Sequence, residues 1–174
     1  MESSPILWVI IATGLIAVFT LILVKWFLNH EARKRKQDFL MQNRQTILRH
    51  QLQAFERFTL YLERITPESL VLREQKKDMT AFQFQNHLLK TIRTEFNHNM
   101  AMQIYVPRKT WEQIKKAREE VVRLINQTAT QVHPKSPSLE LGRRIIENAG
   151  STTNQTVRKA LESISQNVEE MGLR

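Results

Sequence analysis

The chain has no cysteine among its 174 residues. Disulfides, thiolate metal sites and cysteine nucleophiles are excluded together. Glycine occurs four times and proline five. That argues against a phosphate-cradling glycine loop and against a many-turned β-fold. Aromatic residues are few as well, and the whole composition suits long helices. Lysine and arginine are absent before Lys25, so the N-terminal tail Met1-Glu2-Ser3-Ser4-Pro5 carries no basic side chain.

The first feature present is an apolar run. From Ile6 to Val24 there are 19 residues without a charged side chain, enough to cross the ~30 Å hydrocarbon layer as a helix. Trp8 and Trp26 stand 18 residues apart, or about 27 Å at the helical rise. Indole rings favour the headgroup interface, so the pair suits one anchor at each face of a bilayer. Lys25 can snorkel at the same level. A secretory signal peptide would need positive charge before the run and a small-residue cleavage site after it. The chain has neither.

Charge then sets an orientation. The formal net charge is +9, and the stretch from Lys25 to Arg49 holds seven basic residues against two acids. Lys25, Arg33, Lys34, Arg35 and Lys36 all lie on one flank of the run, which by the positive-inside rule places the remaining chain in the cytoplasm. Each of them near an anionic leaflet adds about 1 kcal/mol of attraction. Trp8, Lys25, Trp26, Arg33, Lys34, Arg35 and Lys36 are therefore the expected membrane-interface residues. Thr13, Ala17 and Thr20 form a small-residue stripe of the kind that lets two spans approach closely.

Beyond the joint the pattern is helical. Leu48, Leu52, Phe55, Phe58, Leu62 and Ile65 recur on one helix face. Thr66 and Pro67 read as a cap and first position of a short helix. Thr80 with Gln83 reads as a capping box. The helix that it opens has the stripe Phe82, Leu89, Ile92, Phe96 and Met100, widened by Phe84 and Leu88. Pro107 ends that stretch, and a further helix begins between Pro107 and Trp111. Its stripe is Trp111, Ile114, Val121, Leu124 or Ile125, and Thr128. Lys115 with Glu119 and Lys116 with Glu120 are expected ion pairs on its solvated face. His133–Ser138 reads as a linker. A helix through Leu141, Ile145 and Ile146 stops near Gly150, expected as a left-handed terminator. Val157, Leu161, Ile164, Val168 and Met171 make a heptad seam too short for an autonomous coiled coil. The helix is expected to dock on the domain or on a partner, and these five side chains are the expected contact surface for a protein partner or a second copy. Leu52, Phe55, Phe96 and Trp111 are expected in the core.

The expected fold is thus all-α: an N-terminal transmembrane helix, a stalk and a small cytoplasmic bundle. Its parts are an extracytoplasmic tail at 1–5, a span at 6–28, a basic joint and stalk at 29–47, a helical domain at 48–132 and a C-terminal helical extension at 133–174. The stretches Tyr61–Arg73 (YLERITPESLVLR), Leu88–Val106 (LLKTIRTEFNHNMAMQIYV) and Trp111–Asn126 (WEQIKKAREEVVRLIN) resemble a family of short, uncharacterised single-pass membrane proteins of Bacteroidetes-type bacteria. The likeness runs over nearly the whole chain. It implies the same order of span, basic joint and helical domain, and a bacterial inner-membrane location, but no activity. Pro107 stands where the family pattern has a serine-like cap.

Chemistry is sparse. Glu95 and His98 form a Glu-x-x-His pair, but di-iron bundles need a second such pair and further carboxylates on facing helices. His30, His50, His87, His98 and His133 are scattered, and His87 and His98 lie about 16 Å apart along one helix. No nucleophile, base and orienting group come together, so no catalytic residue, metal ligand or cofactor is expected. The basic residues Arg143, Arg144, Arg158 and Lys159 raise nucleic acid as an alternative, a membrane-tethered nucleic-acid or ribosome binder. Against it, the aromatics sit on apolar stripes rather than among those bases. The expectation is a membrane-anchored scaffold or accessory subunit acting through helix contacts.

Overall fold

The computed structural model describes residues 5–172. The tail before Pro5 lies outside them, as do the side chains of Arg33, Lys36 and several residues of the apolar run. Among the described residues the chain is all-helical, with one isolated bridge between Thr80 and Pro137 in place of any strand. The helices are α1 (Pro5–Arg64), α2 (Pro67–Glu74), α3 (Ala81–Asn99), α4 (Arg108–Ala129), α5 (Ser138–Asn148) and α6 (Ser151–Glu170), with a 3-10 segment over Met100–Tyr105. The chain divides into two compact units, Met1–Ile47 and Leu48–Arg174. Helix α1 gives its first part to one and its last part to the other.

The second unit carries the core. In α1, Phe55, Phe58 and Leu62 are buried on one face together with Ala54 and Tyr61, and Ile65 just past its end is buried too, while Leu48 and Leu52 are only half-buried. Each such side chain taken fully from water contributes about 1.5–3 kcal/mol before entropy is counted. Large rings join this helix to its neighbours. Phe58 meets Trp111 edge-on at 5.3 Å between centroids, and Trp111 stacks on Phe96 at 5.4 Å. Tyr61 packs on Phe96 at 5.6 Å. Edge-to-face and offset stacking of this kind adds about 0.5–1.5 kcal/mol per pair beyond area.

Thr66 takes the N-cap position of α2, as expected, but its side chain makes no capping hydrogen bond. Its hydroxyl donates back to the Glu63 carbonyl at 2.9 Å, and Pro67, which needs no donor partner, fills the first helical position. Thr80 does cap α3 in the expected box. Its Oγ1 accepts from Gln83 N–H at 3.3 Å, and Gln83 Oε1 accepts from Thr80 N–H at 3.0 Å. The α3 stripe is rotated from the expected one. Ala81, Phe84, Leu88, Ile92 and Phe96 are buried, whereas Phe82 and Met100 are exposed and Leu89 is half-buried. Two apolar rows were available, and the row at successive fours faces the core.

The segment His133–Ser138 is not a free linker. The Ser136 carbonyl accepts from Ala81 N–H at 2.7 Å and the Pro134 carbonyl from Phe82 N–H at 3.1 Å. Ser138 N–H donates to the Met79 carbonyl at 3.0 Å, and the Ser138 hydroxyl to the Lys76 carbonyl at 2.8 Å. The first turn of a helix has N–H groups without internal acceptors. Here the proline-rich segment supplies carbonyls to them and becomes a clasp.

Val106, before proline, is extended, Pro107 follows, and α4 starts at Arg108. Its buried row is Thr110, Ile114, Ala117, Val121, Leu124, Ile125 and Thr128, while Trp111 is half-buried. The solvated pairs differ from those expected: Lys115 bonds Glu112 at 2.9 Å and Arg123 bonds Glu120 at 2.6 Å. Both are i,i+3 pairs. Gly150 has φ −56°, so it is not a left-handed terminator; it caps the start of α6. Gly142 has a different reason to be glycine. A Cβ there would stand 3.0 Å from Val71 Cγ1 and 3.1 Å from Gln75 Oε1, so α5 can lie close against α2.

Candidate functional site

The first unit presents an apolar helical surface. Leu15, Ile16, Val18, Phe19, Leu21, Ile22, Leu23 and Val24 are all exposed, on every side of the helix. Trp8 is 65% exposed and Trp26 66%. Trp26 stacks on His30 one turn later, at 5.6 Å and 11° between planes. Lys25, Lys34 and Arg35 are exposed, and Arg35 lies 3.6 Å from Glu31. The side chains of Arg33 and Lys36 fall outside the described residues. The Thr20 hydroxyl donates to the Ile16 carbonyl of its own helix at 2.9 Å. Among the described residues no helix is long and apolar enough to cross a membrane. The side chains of Ile6, Leu7, Val9, Ile10, Ala12 and Ala17, which belong to the uncharged run, are not among those described.

In the second unit the polar side chains converge on Glu95. Arg64 Nε reaches both of its carboxylate oxygens at 3.1 Å, Arg64 Nη2 reaches Oε1 at 2.8 Å, and Arg73 Nη2 reaches Oε1 at 3.2 Å. Arg73 also donates to Glu74 at 2.9 Å and to the Arg64 carbonyl at 3.1 Å. Glu74 stands 2.8 Å from His87 Nε2. One chain of charges thus ties the end of α1 to α2 and α3. Burial alone would raise the Glu74 carboxyl, but hydrogen bonds from Arg73 and His87 outweigh it and hold the group below its ordinary value. Glu95 is saturated by guanidinium donors, so the Glu95–His98 pair is not poised as a metal-binding pair. Among the described residues no group of three or more His, Asp or Glu could hold a metal ion.

A groove of about 670 Å³ runs beside this network between α1 and α3, with Arg57, Leu60, Arg64, Glu95 and His98 among its walls. Tyr61 is also one of its walls. Its hydroxyl is buried with no hydrogen-bond partner among the described residues, and burial pushes its ionisation well above the ordinary tyrosine range. The groove holds charges of both signs.

The C-terminal seam is placed differently from the expectation. Val157 is 2% exposed and Ile164 4%, both within the main core along with Ala160. Leu161, Val168 and Met171 are partly buried against that core. A polar triad locks α6 to α4: Asn167 donates to Thr110 Oγ1 at 2.7 Å, and Thr110 Oγ1 meets Ser163 Oγ at 2.8 Å. Residues 133–174 belong to the same compact unit as α3 and α4; Val157 and Ile164 are taken up by its core, while Leu161, Val168 and Met171 are only partly covered. The heptad spacing shows an apolar stripe but cannot say whether its acceptor lies in the same chain.

The matching family model spans residues 2–171 and is described as a family of unknown function, DUF7935. The chain belongs to this family. No curated protein and no solved structure matches it. The family's extent takes in both units, the apolar run and the helical module alike.

Proposed function

We propose that the chain is a membrane-anchored accessory protein of the bacterial inner membrane, with the first unit as a single-pass anchor and the second as a cytoplasmic helical module. In this reading it is not an enzyme; it holds or regulates a protein complex at the membrane through helix contacts. The observation that carries it is the all-round exposure of apolar side chains from Leu15 to Leu28. A helix apolar on every side is stable only in an apolar surrounding. The uncharged run of Ile6–Val24 has the length for this, and the basic cluster that follows has the asymmetry. The resemblance to single-pass proteins of Bacteroidetes-type bacteria points the same way.

The nucleic-acid alternative loses support from local pairing. Arg143, Arg144 and Arg158 each face a carboxylate one turn away, Glu147 at 2.9 Å, Glu140 at 3.5 Å and Glu162 at 3.6 Å. Protein contacts instead have apolar side chains to use. Phe82 in the first turn of α3 and Leu139 in the first turn of α5, each two residues past an end of the Thr80–Pro137 bridge, are both exposed.

Alkaline carbonate extraction of bacterial membranes, with a reporter active only outside the cytoplasm fused after Arg174, tests the reading. The chain should stay in the pellet and the reporter should stay silent. Release into the supernatant would remove the anchor, and an active reporter would reverse the orientation.

A further inference from the structure

A second groove, of about 590 Å³, lies between α3 and α4 and differs from the first in its charge. Its apolar floor includes Leu89, Ile92 and Val122, and its walls carry Arg93, Arg118 and Arg123 against a single acid, Glu119. The three guanidiniums are not equally occupied. Arg123 is bound by Glu120 at 2.6 Å. Arg118 is pinned with its guanidinium carbon 4.3 Å above the Phe96 ring, and its carboxylate neighbour is the exposed Glu119 at a loose 3.8 Å. Arg93 has no ion pair among the described residues.

We propose that this groove binds a small anionic amphiphile, a free carboxylate or phosphate monoester on a short alkyl chain. The donor set argues for the anion. A guanidinium presents several N–H groups in a planar fork that matches carboxylate and phosphate oxygens. The Phe96 ring holds one such fork in place, so little side-chain entropy is lost on binding. Asn126 adds to the bias: its Oδ1 is taken by Gln85 Nε2 at 3.0 Å, which leaves its amide hydrogens as the part free to act. The floor argues for the alkyl chain, since three aliphatic side chains line a space of drug-like size, which ordinarily falls at about 300–1,000 Å³. A bare inorganic anion would leave that floor wet, and an uncharged alcohol would leave the arginines unmatched. The site does not rest on the membrane reading, because all its residues belong to the second unit.

The test uses the full chain in phosphatidylcholine nanodiscs, with empty discs as the blank. Hexyl phosphate, hexanoate, hexanol and inorganic phosphate are titrated by ligand-observed saturation-transfer NMR. The hexyl anions should bind about ten-fold more tightly than hexanol or inorganic phosphate, since a charge-assisted hydrogen bond is worth about a factor of ten. Arg93→Gln, at an exposed position, should weaken hexyl phosphate about ten-fold with an unchanged melting temperature. Val122→Glu, which puts a carboxylate in the groove, should abolish binding, while Arg143→Gln on α5 should leave it intact. Equal binding of hexanol and hexyl phosphate would overturn the proposal. So would wild-type affinity in both Arg93→Gln and Val122→Glu, or capture of an acidic peptide by a protein that ignores the alkyl anions.

Discussion

Tyr61 is the residue whose chemistry is least satisfied by its surroundings. Its hydroxyl is buried without a partner, and a desolvated polar group left unpaired costs about 1–3 kcal/mol. Tyr61→Phe should therefore stabilise the fold by about 1 kcal/mol in chemical denaturation, keeping the ring contact with Phe96. Because burial raises the folded-state ionisation, the wild type should also lose stability as pH rises past the unfolded tyrosine value of about 10. Tyr61→Phe should remove that part of the alkaline loss, and an unchanged alkaline limb would show that the hydroxyl is solvated. Glu74 acts at the other end of the scale. Its carboxyl is held below the ordinary value, so its stabilisation is present above about pH 4.3 and is lost as pH falls through the depressed folded value. Glu74→Gln should flatten the acid limb of a stability profile between about pH 4.3 and lower. Neither residue stood out in the sequence. The burial of Tyr61 follows from its place beside the Phe58–Leu62 stripe, but an orphan hydroxyl and a network joining Arg64, Arg73 and Glu95 depend on partners up to 31 residues away.

At the scale of the helix, the most instructive element is α6. An amphipathic helix of 20 residues is marginal alone, because nucleation is unfavourable and tertiary burial must stabilise it. Here α4 supplies that burial, through Val157, Ala160 and Ile164 and through the Asn167–Thr110–Ser163 triad. Amides over residues 157–164 should be protected from hydrogen exchange to the same degree as those of α3. Ile164→Asp should unfold the second unit rather than merely weaken an association, since a buried carboxylate without a partner costs several kcal/mol. A folded Ile164→Asp protein with impaired association would restore the seam as a contact surface. Helix α5 gives a second case. Gly142 permits the close approach to Val71 and Gln75, so Gly142→Leu should cost about 1–3 kcal/mol through overpacking. A thermal midpoint equal to wild type would show that α5 can shift outward at no cost.

For the molecule as a whole, the division at Ile47 and Leu48 matters most. Every residue of the hydrophobic core cluster falls between Ala54 and Ile164. None of the described apolar side chains of the first unit belongs to it. A chain that starts at Leu48 should consequently melt in a single cooperative transition close to that of the full-length protein, and should lose membrane association. Failure of that fragment to fold would mean that the first unit stabilises the second. Cooperative melting of a fragment that still pellets with membranes would move the anchor into the helical module.

Much of this was written in local sequence. The all-α class, the interruption at Thr66–Pro67, the capping box of α3 and the break at Pro107 follow from side-chain period, missing donors and cap chemistry, which act within one or two turns. The basic cluster after the apolar run is equally local. The tertiary structure decided what depends on distant partners. It chose the Phe84 row of α3 over the Phe82 row and turned a proline-rich segment into a cap for another helix. It also folded the C-terminal seam onto α4. A period of 3.6 residues tells which side chains share a face; only packing tells what that face meets, because the acceptor for each apolar row or orphan N–H lies tens of residues away along the chain.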